Sequence, residues 1–142
     1  MEVPVASFVR AMNLPAVEST LQHYYKAFAA TDPATRLELL QLSMTPGAEI
    51  WGPQQGFRGY EGIAAKIAGF QQRMPGCRLV RTSGLYRFET LVRLRGAILN
   101  PDGSRRAGGE ALMLLAADGR IERVFPFWDE LPPLPEGWAG QA

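Results

Sequence analysis

The chain has 142 residues, of which 46% are hydrophobic and 20% are charged, and its formal net charge is +1. This length and composition predict one globular domain with a single core, and the near-zero charge gives no indication of nucleic acid or an anionic membrane as a partner. Cys77 is the only cysteine, so an internal disulfide is excluded. No apolar stretch approaches the roughly 20 residues of a membrane span, and the N-terminus lacks a secretory pattern, so we expect a cytoplasmic protein.

Helical patterns occupy the first half of the chain, after a predicted N-terminal arm over residues 1–13. The first helix is predicted to begin near Pro15, whose missing N–H costs little in a first turn. Its apolar residues recur at helical spacing and predict one buried stripe, formed by Val17, Leu21, Tyr24 and Phe28.

Two further helices follow. Asp32-Pro33 is a typical helix start, because Asp32 can cap the helix and Pro33 fits its first turn. In this second helix the residues predicted to face inward are Leu37, Leu40 and Met44, and Thr45-Pro46-Gly47 is predicted to end it. A third helix is predicted over about 60–74, with a stripe formed by Ile63, Ile67, Phe70 and Met74.

Strand patterns account for most of the remainder. A short strand over 48–52 has Ile50 on one face, with Glu49 and Trp51 on the other. Longer strands are predicted at about 78–88, 91–99, 105–117 and 120–128. Asn100-Pro101-Asp102-Gly103 predicts a turn before the third of these strands, and Asp118-Gly119 is a strong hairpin signal before the fourth. Gly108-Gly109 indicates a bulge or bend. Residues 131–142 are rich in Pro and Gly and predict an extended tail.

Two local motifs give these elements a family context. Phe57-Arg58-Gly59-Tyr60-Glu61-Gly62-Ile63 resembles the "G-x-E-x-I" entry to the third helix of the NTF2-like superfamily, in its SnoaL-like and steroid delta-isomerase branch. Asp118-Gly119-Arg120-Ile121, followed by Phe127-Trp128-Asp129, is similar to the closing hairpin of that branch. The resemblance covers residues 14–130. It implies an α+β cone, in which three N-terminal helices pack on a curved, mostly antiparallel sheet around an apolar cavity, and a homodimer formed through the open face of the sheet.

The resemblance also implies site residues. Tyr24 matches a helix-one tyrosine that donates a hydrogen bond to the substrate oxygen, and Trp128 matches an aromatic residue of the pocket wall. The position of the isomerases' proton-transferring aspartate holds Gly52, and that of the cyclases' acid on the last strand holds Pro126 or Phe125. None of these residues can titrate, so the known carboxylate route of isomerisation is not expected.

Glu110 is the acid best placed to replace those bases. If its carboxyl points into the cone, burial would raise its pKa and make it a usable acid or base. If it lies on the outer side of the sheet it faces solvent, and Gly108-Gly109 leaves the parity of the strand open. Arg93 and Arg95 share one face of a strand, which is typical of a solvated side, a dimer seam or a site for an anionic group.

The functional hypothesis is a SnoaL-like pocket protein acting on a small apolar or polycyclic molecule without a cofactor, as an isomerase, cyclase, dehydratase or hydrolase. Tyr24 would polarise an oxygen and Glu110 would move a proton, while the ligand would contact Trp51, Phe70 and Trp128. The alternative is a non-catalytic NTF2-like module for ligand binding or dimerisation, since a packed core uses the same aromatic residues. No metal site is expected, because His23 has no second histidine or cysteine near it in the sequence.

Overall fold

A computed structural model describes residues 14–128 and 131–138. The helices are α1 (Leu14–Ala29), α2 (Pro33–Ser43) and α3 (Gly59–Arg73). The strands are β1 (Met44–Ile50), β2 (Phe57–Arg58), β3 (Arg78–Arg81), β4 (Tyr86–Phe88), β5 (Leu91–Leu99), β6 (Arg105–Leu115) and β7 (Ile121–Trp128). The predicted N-terminal arm over residues 1–13 lies outside the described residues, and residues 131–138 contain neither helix nor strand. Within the described ranges, no helix has the length and apolar character needed to cross a membrane.

The helices form one layer against the inner face of the sheet. All four residues of the predicted α1 stripe are buried. At the start of α2 the Thr35 N–H donates to Asp32 Oδ2 at 2.9 Å, which confirms the predicted cap. Leu40 is buried as predicted, but Leu37 is exposed and the prediction for it was wrong. Met44 is buried, although as the first residue of β1 instead of the last turn of α2.

Arg36 is buried on α2 and joins the three helices. Its guanidinium donates to the Ala30 carbonyl and to Gln71 Oε1, both at 3.0 Å. The Gln71 side-chain amide in turn donates to the carbonyls of Phe28 and Ala30, at 3.1 and 2.9 Å. The carbonyls at the end of α1, which lack partners within their own helix, are therefore satisfied by side chains of α2 and α3.

The seven strands among the described residues form one sheet in the order β2-β1-β7-β6-β5-β3, with β4 also paired to β5. The β1–β7 pair is parallel and all other pairs are antiparallel. Register shifts leave one extra residue in β6 beside Leu99 and one in β7 beside Leu115, and such bulges increase the local twist of a sheet. Three helices on this strongly curled sheet confirm the predicted α+β cone.

Strand alternation gives the sheet two distinct faces. The inner face packs against the helices and carries the apolar residues Val92, Leu94, Met113 and Val124, all buried in the core. The outer face carries the intervening residues, among them Arg93, Arg95, Glu110, Leu112, Phe125 and Phe127.

Several strand boundaries differ from those that the sequence predicts. β1 begins at Met44 and passes through Pro46 and Gly47, because a register shift against β7 between Met44 and Glu49 accommodates the turn-like residues. The predicted strand over 78–88 is divided into β3 and β4, since the Arg95 N–H donates to the Ser83 hydroxyl at 2.7 Å instead of to a strand carbonyl. The bulge predicted at Gly108-Gly109 is absent from the ladder of β6 with β5, where the shift lies between the partners Ala107 and Arg105.

Candidate functional site

A small cavity of about 40 Å³ lies between α1 and the inner face of the sheet. Two glycines that face each other across β5 and β6, Gly96 and Gly109, form part of its wall. Aromatic side chains occupy the space that these glycines leave. A Cβ atom added at Gly96 would lie 3.8 Å from the Tyr25 hydroxyl, and one added at Gly109 would lie 2.9 Å from the Trp128 ring. At about 10–15 Å³ for each water, the cavity has room for roughly three waters.

Tyr24 is the main polar side chain of this cavity. It is 4% exposed, and its ring packs at 5.1 Å from Phe28 and edge-on at 5.3 Å from Tyr25. Burial, followed by the nearby Tyr25, raises the pKa of the Tyr24 hydroxyl far above its ordinary value. The hydroxyl is therefore protonated, and it donates no hydrogen bond to any other described residue, so it is available as a donor to a molecule in the cavity.

Tyr25 is a second phenol at the cavity, and sequence reasoning did not assign it to the site. Burial raises its pKa to about 12, while the positive charge of Arg81 lowers it. Arg81 is itself held by Glu18 at 2.7 Å. Tyr25 lies about 100° around α1 from Tyr24, outside the apolar stripe that the sequence predicts, and the signal that a second ring fits here is the pair of glycines Gly96 and Gly109.

Glu110 occupies the outer face of β6. Its register partners are Arg95 on β5 and Phe127 on β7, and its carboxylate accepts a hydrogen bond from Arg93 Nε. Because side chains alternate between the two faces along a strand, the neighbours Gly109 and Ala111 face inward and line the cavity. Glu110, between them, contributes only its backbone to the cavity wall. The structure therefore does not bring the Glu110 carboxylate to the Tyr24 hydroxyl.

The three predicted ligand-contacting aromatic residues lie in three different environments. Trp128 lines the cavity and is 37% exposed at its border. Trp51 lies on the outer side and stacks on Phe125 at 6.1 Å, in a groove of about 420 Å³ that Trp128 also lines. Phe70 is buried on α3 and is not part of the cavity wall.

Proton-transfer and metal chemistry have few candidate groups here. Pro126, one of the two residues that the resemblance sets at the position of a cyclase acid, lies in the cavity wall and cannot titrate. In the part of the chain that the structure describes, no cluster of three or more His, Cys, Asp or Glu residues is arranged to hold a metal ion.

These features define an α+β cone protein of the NTF2-like class, with a tyrosine donor in its interior. No family model and no curated protein matches the sequence, whereas many solved structures match the fold. One is a proposed isomerase of the SnoaL-like family from Agrobacterium tumefaciens, at 27% identity and a TM-score of 0.74, covering 82% of this chain and 100% of that one. Another is a proposed SnoaL-like polyketide cyclase from Jannaschia, at 17% identity and a TM-score of 0.64, covering 91% of this chain and 90% of that one.

An NTF2-like protein of unknown function from Exiguobacterium matches at 19% identity and a TM-score of 0.60, covering 79% of this chain and 99% of that one. The chain thus has the NTF2-like fold and is similar to SnoaL-like proteins, which confirms the resemblance seen in its sequence.

Proposed function

We propose that the protein is a SnoaL-like pocket protein that binds a small, mostly apolar molecule through an oxygen atom of that molecule. The observation that carries the proposal is the hydroxyl of the buried Tyr24 side chain, which is protonated, borders the cavity and donates no hydrogen bond to any described residue. The side chains around it are apolar or aromatic, including Met113, Val124 and Trp128. A polar group of this kind in an apolar pocket orients a ligand, because leaving the group unpaired is costly.

The same contact would polarise a carbonyl or hydroxyl oxygen of the ligand. A neutral phenol in a poorly hydrated site donates a hydrogen bond that strengthens as negative charge develops on the oxygen. The names of the matching structures from Agrobacterium and Jannaschia make isomerisation and cyclisation the reactions to consider first. Dehydration and hydrolysis use the same polarisation, and none of these reactions requires a cofactor.

The cavity has few groups that could transfer a proton. A general base contributes about 10²–10⁴-fold in rate, and the Glu110 carboxylate is engaged by Arg93 on the outer face. The geometry therefore favours binding and polarisation over proton shuttling. For any substrate that is turned over, Glu110→Gln tests the proposed proton-transfer role directly: loss of turnover supports that role, and full turnover removes Glu110 from the mechanism.

The size of the ligand depends on Trp128. Pockets for small molecules usually measure about 300–1,000 Å³, and a cavity of about 40 Å³ is too small for a polycyclic molecule. Trp128 lines both this cavity and the adjacent groove of about 420 Å³. Rotation of its side chain would join the two spaces and admit a six-membered or larger ring.

The test uses two probes of matched shape, cyclohex-2-enone and cyclohexene, followed by NMR titration. Tyr24→Phe is expected to weaken enone binding by about 3–10-fold, the value of one hydrogen bond, and to leave cyclohexene binding unchanged. Tyr25→Phe is the matched control, because it removes a neighbouring phenol and keeps Tyr24. Equal enone affinity of the wild type and Tyr24→Phe, or no binding of either probe, would refute the proposal.

The resemblance further suggests a homodimer formed through the outer face of the sheet. Support comes from the aromatic pair of Trp51, just after β1, and Phe125 on β7, in which Trp51 is 47% exposed. Light scattering after size exclusion is expected to give twice the chain mass, and Trp51→Ser is expected to shift the equilibrium toward the monomer. A wild-type protein that remains monomeric at high concentration would contradict this assembly.

A further inference from the structure

The outer face of the sheet has two halves that differ in charge. The aromatic half lies on β7 and just after β1, and the second half lies on β5 and β6. A groove of about 630 Å³ crosses β5 and β6 there, on the face opposite to the one that packs against Tyr24. Arg95 and Arg105 line one part of it, and apolar contacts come from Leu112, Phe127 and Leu131. We name this groove, by these five residues, the arginine groove. It combines cationic and apolar walls in one concave surface.

The two guanidinium groups of the arginine groove have no acidic partner within the described ranges. The one carboxylate beside them, that of Glu110, is paired with Arg93. The other ion pairs of the described residues join different groups, and neither Arg95 nor Arg105 takes part in them. Among the described residues, this part of the outer face therefore carries three guanidinium groups and one carboxylate, an excess of two positive charges, in a chain whose formal net charge is +1.

Gly108 holds one of these guanidinium groups in the groove. A Cβ atom at position 108 would overlap the Arg105 guanidinium, so that group lies directly against the backbone of β6. A longer side chain at this position would displace the guanidinium. Because Gly108 has no side chain, the Arg105 guanidinium can pack against the backbone there, close to the apolar part of the groove.

We propose that the arginine groove binds a small organic anion, with its carboxylate, sulfonate or phosphate group on Arg95 and Arg105 and its apolar body on Leu112, Phe127 and Leu131. Planar guanidinium groups bind such oxyanions through paired, charge-assisted hydrogen bonds. The volume of about 630 Å³ lies in the usual range for small-molecule sites.

A second copy of the chain is a poorer occupant of the arginine groove. A two-fold interface centred on this groove would set Arg95 and Arg105 against the same residues of the other copy. Burying that excess of positive charge is costly unless an anion lies between the copies. The aromatic half of the outer face, on β7 and after β1, carries no such penalty.

The probe is 2-naphthalenesulfonate, compared with the neutral 2-naphthol by isothermal titration calorimetry at neutral pH and low ionic strength. The sulfonate is expected to bind at least 10-fold more tightly than the naphthol. Arg95→Gln and Arg105→Gln are each expected to weaken sulfonate binding by about 10–100-fold, the effect of losing a hydrogen bond to a charged group. Gly108→Ala is expected to weaken it as well, because it displaces the Arg105 guanidinium.

Two control variants separate this site from the rest of the molecule. Arg58→Gln removes an exposed arginine at the β2 edge of the sheet and is expected to leave sulfonate binding unchanged. Tyr24→Phe is expected to leave it unchanged too, so failure of the inner pocket and failure of the arginine groove are distinguishable.

Three results would overturn the inference. The first is equal binding of naphthol and sulfonate, or binding of neither. The second is sulfonate binding that is lost in Tyr24→Phe and kept in Arg95→Gln and Arg105→Gln. The third is a change of oligomeric state in the two arginine variants without a change in sulfonate affinity, which would assign the groove to contact between copies.

Discussion

Adjacent glycines in β6 are expected to respond in opposite ways to the same substitution. A Cβ atom at position 109 would overlap the Phe127 carbonyl oxygen and come within 2.9 Å of Trp128 Cε3. The first of these atoms belongs to the backbone of the paired strand β7 and cannot move without disturbing the ladder. A Cβ atom at position 108 meets only the Arg105 guanidinium, which is the far end of a flexible side chain.

The magnitudes follow from overpacking and chain entropy. Neither glycine has a positive φ, so alanine can adopt both backbone conformations and reduces the entropy of the unfolded chain by an equivalent of about 0.4–1 kcal/mol. Overpacking against fixed atoms costs about 1–3 kcal/mol. Gly109→Ala is therefore expected to destabilise the protein by about 1–2 kcal/mol, and Gly108→Ala to be neutral or to stabilise it by up to about 1 kcal/mol.

Urea unfolding followed by tryptophan fluorescence measures both effects. With a slope of about 2 kcal/mol per molar urea, Gly109→Ala should lower the midpoint by roughly 0.5–1 M at unchanged slope, and Gly108→Ala should not lower it. If the two variants unfold at the same midpoint, or if Gly108→Ala is the less stable one, the close approach of β7 to Gly109 is not the reason for glycine there.

Three further expectations concern the frame around the site. Gln71→Leu should destabilise the protein by about 1–3 kcal/mol in urea unfolding, because it removes donors from the carbonyls that end α1, whereas the exposed neighbour substitution Gln72→Leu should have little effect. Tyr60→Phe should cost about 0.5–1.5 kcal/mol, measured in the same way, since the Tyr60 hydroxyl donates to the Met44 carbonyl at 2.9 Å. The hydrogen bond from the Thr35 N–H lowers the pKa of Asp32. The cap therefore contributes fully to the stability of the folded protein above the unfolded pKa of about 3.9, and this contribution is lost as the pH falls through the lower folded pKa. Thermal midpoints between pH 2 and pH 7 should show this loss in the wild type and a smaller one in Asp32→Asn; equal acid sensitivity would contradict the capping role.

Much of the fold follows from local signals in the sequence. The stripe of α1, the Asp32 cap and the two Gly-containing turns depend on residues close together in the chain, and the structure confirms each of them. Gly103 and Gly119 have φ values of 88° and 89°, as turns that require a left-handed residue predict. β5 has the predicted bounds for the same reason, since its alternation from Val92 to Arg95 and the apolar run that follows are visible without knowledge of its partners.

The site is less predictable because it depends on pairing between distant strands. Whether Glu110 lies on the inner or the outer face of the sheet depends on where β6 has its extra residue. Gly108-Gly109 indicated a bulge at those positions, but the extra residue lies before Ala107. α2 shows a similar limit. Its apolar residues do not form a single stripe, and the core takes Arg36 instead of Leu37 because Ala30 and Gln71 satisfy the guanidinium.

The Ala30 carbonyl is the point at which all three helices meet, since it accepts hydrogen bonds from both Arg36 and Gln71. If only two helices dock, a buried guanidinium or a main-chain oxygen loses part of its hydrogen bonding. Partial assembly of the helix layer is therefore penalised, and we expect the three helices to dock together in one cooperative step.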